Sequence, residues 1–178
     1  MKYSRLFLWV EGPDDKRFME GVVVPHFEEK YDFVKIIEYA QEKIEWQENF
    51  LRSIVGMKGD YIFFHDNDTA CFVTDKEKVL NRHAQLDNEK VLVVVKEIES
   101  WYLAGIPQEF ADELGVSPPA QTDTVTKEQF DELIPKAFNS RIDFMQEVLK
   151  RFDVSSAQKR NTSFEYFVNK HSMLAGAL

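Results

Sequence analysis

Three unbroken apolar runs stand out along the chain, at residues 6–10 (Leu-Phe-Leu-Trp-Val), 61–64 (Tyr-Ile-Phe-Phe) and 91–95 (Val-Leu-Val-Val-Val). Uninterrupted runs of this length predict strands covered on both faces, as in a parallel sheet. Residues 34–39 predict a further strand. Between the strands the apolar spacing becomes helical. Pro13 suits a first helical position and Asp14 and Asp15 its first turn. Phe18, Met19, Val22 and Val23 continue that helix, which is expected to stop before Pro25. Trp46, Phe50 and Ile54, with Leu51 and Val55, form a second stripe. Thr74-Asp75-Lys76-Glu77 has the form of a capping box ahead of Val79, Leu80, His83 and Leu86, and Asp87-Asn88 forms a turn.

The second half is helical and more polar. Phe110 and Leu114 precede Gly115, a helix stop. Residues 117–123, opening Ser-Pro-Pro, form the best linker candidate. Thr126 and Gln129 cap another helix. Ile142, Met145, Leu149 and Phe152 form one amphipathic stripe, and Phe164, Phe167, Val168 and His171 another. Strands alternating with helices imply right-handed crossovers and a parallel sheet. The expected fold class is therefore α/β, a mostly parallel sheet with helices on both faces. Residues 1–105 form the core and residues 106–178 a helical extension packed on it as one compact domain.

Polar residues matter where the apolar runs stop. The run at 6–10 ends in Glu11-Gly12-Pro13-Asp14-Asp15, the run at 61–64 in His65-Asp66-Asn67-Asp68, and the run at 91–95 in Lys96-Glu97-Ile98-Glu99. In a parallel sheet these carboxyl ends share one edge, where ligands of open α/β sheets sit. Carboxylates converging there repel one another, and a hard divalent cation is their usual counter-ion. In its absence, repulsion should raise the pKa of one or more of them. A solvated Asp-Asn-Asp turn is the plainer reading of Asp66 and Asp68, and simple dipole partners that of Asp14 and Asp15.

Composition sets limits. The 178 residues include 44% hydrophobic and 13% aromatic side chains, enough for one good core. No apolar run reaches membrane-spanning length. Cys71 is the single cysteine, which excludes a disulfide framework and a cysteine metal site. With no signal peptide read at the N-terminus, the expected location is the cytoplasm. A net charge of −9 argues against a protein whose main task is gripping a phosphate backbone, though not against an enzyme acting on one.

Strand-Glu-Gly-helix followed by strand-Asp-x-Asp resembles the Toprim domain of topoisomerases, primases and OLD-family nucleases. Glu11-Gly12-Pro13-Asp14-Asp15 is similar to the E-G-x-x-E form, with Asp15 for the second glutamate. Glu97-Ile98-Glu99-Ser100-Trp101-Tyr102-Leu103-Ala104 resembles the E-I-E-x-W-x-x-A segment of small stand-alone bacterial Toprim-like proteins, and Asn161-Thr162-Ser163-Phe164 their C-terminal segment. The resemblance implies Mg²⁺ or Mn²⁺ at Asp66 and Asp68, with Glu11 as ligand or general acid-base and Asp15, Glu97 and Glu99 as further ligands. It implies metal-dependent phosphodiester chemistry on nucleic acid, a nuclease in a defence or toxin-like system. No ATPase motif is present, so a nucleotide motor would be a separate partner chain.

Two other readings stand beside it. One is a non-catalytic Toprim-like module that binds a partner. The other is a haloacid-dehalogenase-type phosphatase, which wants D-x-D-x-T, whereas Ala70 holds the threonine position. His65 and Lys96 are candidate substrate contacts, with a rim histidine and a surface lysine as the plain alternatives. Cys71 reads as a small packing residue.

Overall fold

Strand β1 (Arg5–Val10) organises the sheet because it pairs on both sides. It runs parallel to β2 (Phe33–Glu38) and to β3 (Asp60–Asp66), with Leu8 opposite Ile36 on one side and Ile62 on the other. β4 (Val91–Val94) completes a four-stranded, all-parallel sheet of order β2-β1-β3-β4. The expected parallel neighbours are thus present. β2 is one of the two edge strands and the strand with the most exposed residues. The computed structural model describes residues 3–67 and 71–173. It forms two compact units, residues 1–93 and 94–178. That boundary lies within β4.

In the first unit, Phe7, Trp9, Ile37, Tyr39, Tyr61, Phe63 and Val91 pack on one face of the sheet against Leu51 and Ile54 of α3 (Ile44–Gly56) and Val79 of α4 (Phe72–Arg82). Leu6, Leu8 and Val10 are buried as well, so the opposite face is also covered. Right-handed crossovers explain this division. The step from β1 to β2 and the steps from β2 to β3 to β4 run in opposite directions, which sends their helices to opposite faces.

Several local expectations need correction. The first helix does not stop before Pro25. α1 (Pro13–Phe18) passes through a π-helical turn at Met19–Val23 into α2 (Val24–Glu28), which contains the proline in its first turn. A proline there needs no N–H partner, and the wider π register admits it within a continuous helix. α4 begins at Phe72 with Cys71 as N-cap, so Thr74 lies inside the helix and heads no capping box. Cys71 is exposed. Trp46, Val55 and Ile142 are exposed members of stripes whose other residues are buried or half-buried.

The second unit is built on α5 (Ile98–Ala104), all seven residues of which are buried. It packs against α7 (Lys127–Glu132), α8 (Arg141–Lys150) and α9 (Val154–Arg160). The core side of α8 is Phe144, Met145 and Val148, displaced from the expected Ile142–Leu149 stripe. α6 (Gln108–Leu114) ends at left-handed Gly115, and the Thr126–Gln129 capping box is present, both as expected. Gly105 has no room for a β-carbon, which would stand 2.1 Å from the Phe152 ring. The supposed linker at 117–123 is pinned: Thr122 N–H donates to Arg160 O (2.8 Å), and the Arg160 guanidinium donates to Pro119 O (2.7 Å) and Ile106 O (2.9 Å). No helix among the described residues is long and apolar enough to cross a membrane.

Asn161, 1% exposed, knots this unit together ahead of α10 (Thr162–His171). Its Oδ1 accepts from Phe164 N–H and the Ser163 hydroxyl. Its Nδ2 reaches Thr122 Oγ1, Ser100 Oγ and Val95 O. Replacing it by alanine removes a helix cap and strands several buried polar groups. Asn161→Ala should lower unfolding free energy by about 2–4 kcal/mol. Urea denaturation checks this; a loss below about 0.5 kcal/mol, the scale of an ordinary surface substitution, would contradict the role.

Candidate functional site at the β1–β3 edge

The sheet order creates one topological switch point. The chain leaves β1 toward one face and leaves its neighbour β3 toward the other, which opens a crevice beyond their carboxyl ends. The register of Trp9 with Phe63 brings Glu11 level with His65, two residues further on. The parallel ladder continues past β2, with Tyr39 N–H donating to Val10 O (2.9 Å) and Ala40 N–H to Glu11 O (3.3 Å). Glu11 is therefore fixed through its backbone on one side and its side chain on the other.

Three donors converge on Glu11 Oε1. His65 Nδ1 lies at 2.7 Å, the Asp66 backbone N–H at 3.0 Å and the Tyr39 hydroxyl at 3.2 Å. The same hydroxyl is 3.0 Å from Phe64 O and 3.4 Å from His65 Nδ1. Among the described residues Oε2 takes no hydrogen bond. Burial alone would raise the Glu11 pKa. The hydrogen bond from His65, that from the Asp66 N–H, the His65 charge and the Tyr39 hydroxyl outweigh it, leaving the carboxyl below its ordinary 4.5. The expected upward shift from mutual repulsion is thus reversed at Glu11, because donors surround it. Tyr39, buried beside these carboxylates, has its pKa pushed well above the ordinary value, first by burial and then by the charges of Glu11, Asp66 and Asp15.

The other predicted residues are placed as follows. Asp15 is buried, and its Oδ2 accepts from Gly12 N–H at 3.1 Å, closing the N-terminus of α1. Asp66 ends β3 beside Glu11. Asp68 lies outside the described residues. Glu97, Glu99 and Lys96 belong to the second unit. There Glu97 accepts from Lys127 N–H, while Glu99 pairs with Arg141, which also holds Asp131. Lys96 is half-buried and makes no ion pair among the described residues. Among the described residues no three acidic, histidine or cysteine side chains form a ready metal cluster. The described donors for a hard cation are Glu11 and Asp66.

A cleft of about 530 Å³ opens beside Glu11, lined by Tyr39, Glu42, Gln47, His65, Arg82 and His83 among others. Its volume falls in the range of roughly 300–1,000 Å³ usual for ligand sites. Tyr39 and Arg82 escaped the sequence reading. Tyr39 passed as the end of a strand, although its place just past β2 put it on the acidic edge. Arg82 carried no motif.

Two pH effects follow. Glu11 has a depressed folded pKa, so its stabilising contribution is present above the unfolded value and is lost as pH falls through the folded one. Glu11→Gln should lack that acid-side component. In His65→Ala the Glu11 carboxyl should titrate at higher pH than in the wild type. Carboxyl ¹³C NMR measures this, and an unmoved titration would refute the His65 contribution. His83 is buried against Phe63, and burial, aided by the Arg82 and His65 charges and opposed by Glu48, lowers its pKa from 6.5. Below pH 6.5 the unfolded chain binds a proton that the folded one refuses, so stability falls with pH toward the folded pKa. His83→Gln should flatten this slope in melting curves from pH 7 to pH 5.

No family model matches the chain, and no curated protein does. Among solved structures it is similar to the C-terminal region of the Burkholderia pseudomallei OLD protein, at 16% identity over 98% of each chain, with a TM-score of 0.38.

Proposed function

We propose that this chain performs divalent-metal-dependent phosphodiester chemistry on nucleic acid, in the manner of a Toprim-type nuclease. The observation that carries the reading is the pairing of Glu11 and Asp66 at the switch point of a parallel sheet, bound together by the Asp66 N–H. The Glu-Gly and Asp-x-Asp order of the sequence supplies the chemical class.

The donor set fits a hard cation. Both described side chains are carboxylates, and Glu11 retains an oxygen without a hydrogen bond among the described residues. Glu11 and Asp66, with Asp68 by sequence, would hold Mg²⁺ or Mn²⁺. Bound there, the ion supplies Lewis-acid polarisation of a phosphoryl oxygen and a water of lowered pKa. His65, Tyr39 and the Asp66 N–H orient Glu11 and keep it ionised at neutral pH. An ionised carboxylate ligates a cation or accepts a proton, so Glu11 is suited to ligand or base and not to acid. Asp15, engaged with Gly12 N–H, serves the helix start from which Glu11 projects.

Purified protein with Mg²⁺ or Mn²⁺ should cleave DNA or RNA, and Glu11→Gln or Asp66→Asn should reduce the rate by at least roughly a hundredfold. Mg²⁺ at a hundredfold excess over Kd should add about 2.7 kcal/mol of stability to the wild type and much less to Asp66→Asn. Equal cleavage by all three proteins would assign the activity elsewhere. A melting temperature indifferent to Mg²⁺ would remove the cation from the site.

A further inference from the structure

The cleft beside Glu11 has a cationic wall that the carboxylates do not explain. On α4, Asp75, Lys78, Val79 and Arg82 recur at i, i+3, i+4 and i+7 and so share one helix face. All four line a second cleft of about 500 Å³ together with His65, and His65, Val79 and Arg82 border the first cleft as well. The two spaces are therefore neighbours, with His65, Val79 and Arg82 common to both.

Several cations of the unit are held by carboxylates. Lys16 pairs with Glu38, Arg17 with Asp14 and Lys90 with Asp60. Lys78 pairs with Asp75, whose side chain is 1% exposed, but keeps 59% of its own exposed. Arg82 has no ion pair or hydrogen bond among the described residues. In a chain of net charge −9, carboxylates are plentiful, and this guanidinium has none. A guanidinium presents paired donors that match phosphate oxygens.

We infer that Arg82, with Lys78 beside it, forms a phosphate-binding subsite that seats a backbone phosphate of nucleic acid flanking the one that reacts at Glu11. This rests on the proposed function and names the path its substrate takes. Carboxylates lie toward the sheet edge, while the helix side carries Lys78 and Arg82 beside the buried Asp75. A polyanionic strand answers both walls when a metal ion covers the carboxylates. A single isolated phosphate would satisfy the helix wall alone.

The test uses Arg82→Gln, the charge-retaining Arg82→Lys, and Lys90→Gln. Lys90 pairs at the amino end of β3, so its loss controls for net charge alone. Steady-state cleavage of labelled oligonucleotides with Mg²⁺ gives KM and kcat. Binding is followed by fluorescence anisotropy in a cleavage-inactive Glu11→Gln background across a salt series. Arg82→Gln should raise KM and weaken binding roughly tenfold with little change in kcat. It should reduce the log–log salt slope by about 0.9 for duplex or about 0.7 for single strands, the release of one counter-ion contact. Arg82→Lys should keep the slope and lose part of the affinity. Lys90→Gln should match the wild type. If Arg82→Gln retains wild-type KM and slope, or Lys90→Gln falls equally, the subsite is refuted while cleavage lost in Glu11→Gln keeps the proposed function standing. If the wild type neither binds nor cleaves any nucleic acid, both fail.

Discussion

The convergence of donors on Glu11 Oε1 is the constraint on which this site depends. The donors come from two strands, His65 and the Asp66 N–H from β3 and Tyr39 from just past β2, while Glu11 follows β1. These bonds form only if all three strands run parallel and in the observed register. A slip of one residue at β3 would turn His65 to the other face and withdraw the Asp66 N–H. The site is thus a consequence of the sheet. Conversely, a carboxylate at the end of a fully buried strand is tolerated because these donors replace the water it loses.

The second unit solves its burial problem differently. Among the described residues it has no sheet of its own to satisfy polar groups, and its helices are short. Side chains at the helix starts do the work instead: Asn161, Asp153, Ser140 and Thr126 each cap a helix. Glu99 is buried with Arg141, whose guanidinium also lies over the Phe130 ring. Such a pair fixes geometry more than it adds stability, since desolvation of both charges offsets much of their attraction. Its effect on function is to occupy Glu99, a residue whose motif placed it among the ligand candidates. Lys150 and Arg151 are likewise paired, with Glu147 and Glu113, and Arg160 is committed to backbone carbonyls.

The sheet was legible because its signal is redundant. Unbroken apolar runs, acidic strand ends and intervening helical stripes all agree on parallel β1, β3 and β4. The misread details were those set by single contacts at a distance. Pro25 stays helical because a π turn precedes it, which no periodicity announces. Residues 117–123 look like a linker by composition, yet the Arg160 guanidinium holds them. Of the site, Glu11 and Asp66 could be found by their position after buried strands. Tyr39 was hidden, since an aromatic at a strand end reads as core, and it is indeed buried, yet its hydroxyl reaches the site. Repulsion among carboxylates was expected from charge alone, and sequence gives no count of N–H and O–H donors.

That count changes what a cation would have to do. Had Glu11 been held only against other carboxylates, ion binding would be needed to order it, and ordering would consume part of the binding free energy. Here Oε1 is already saturated by protein donors and the carboxyl is ionised without help. The geometry is set before any ligand arrives, so binding at Oε2 and Asp66 spends little on reorganisation. The same logic assigns different tasks to the two walls of the cleft. The sheet wall is half-buried and anionic, with Glu11 held by three donors. On the α4 wall Lys78 and Arg82 are exposed, so under the proposed function they can adjust to a strand whose sequence varies.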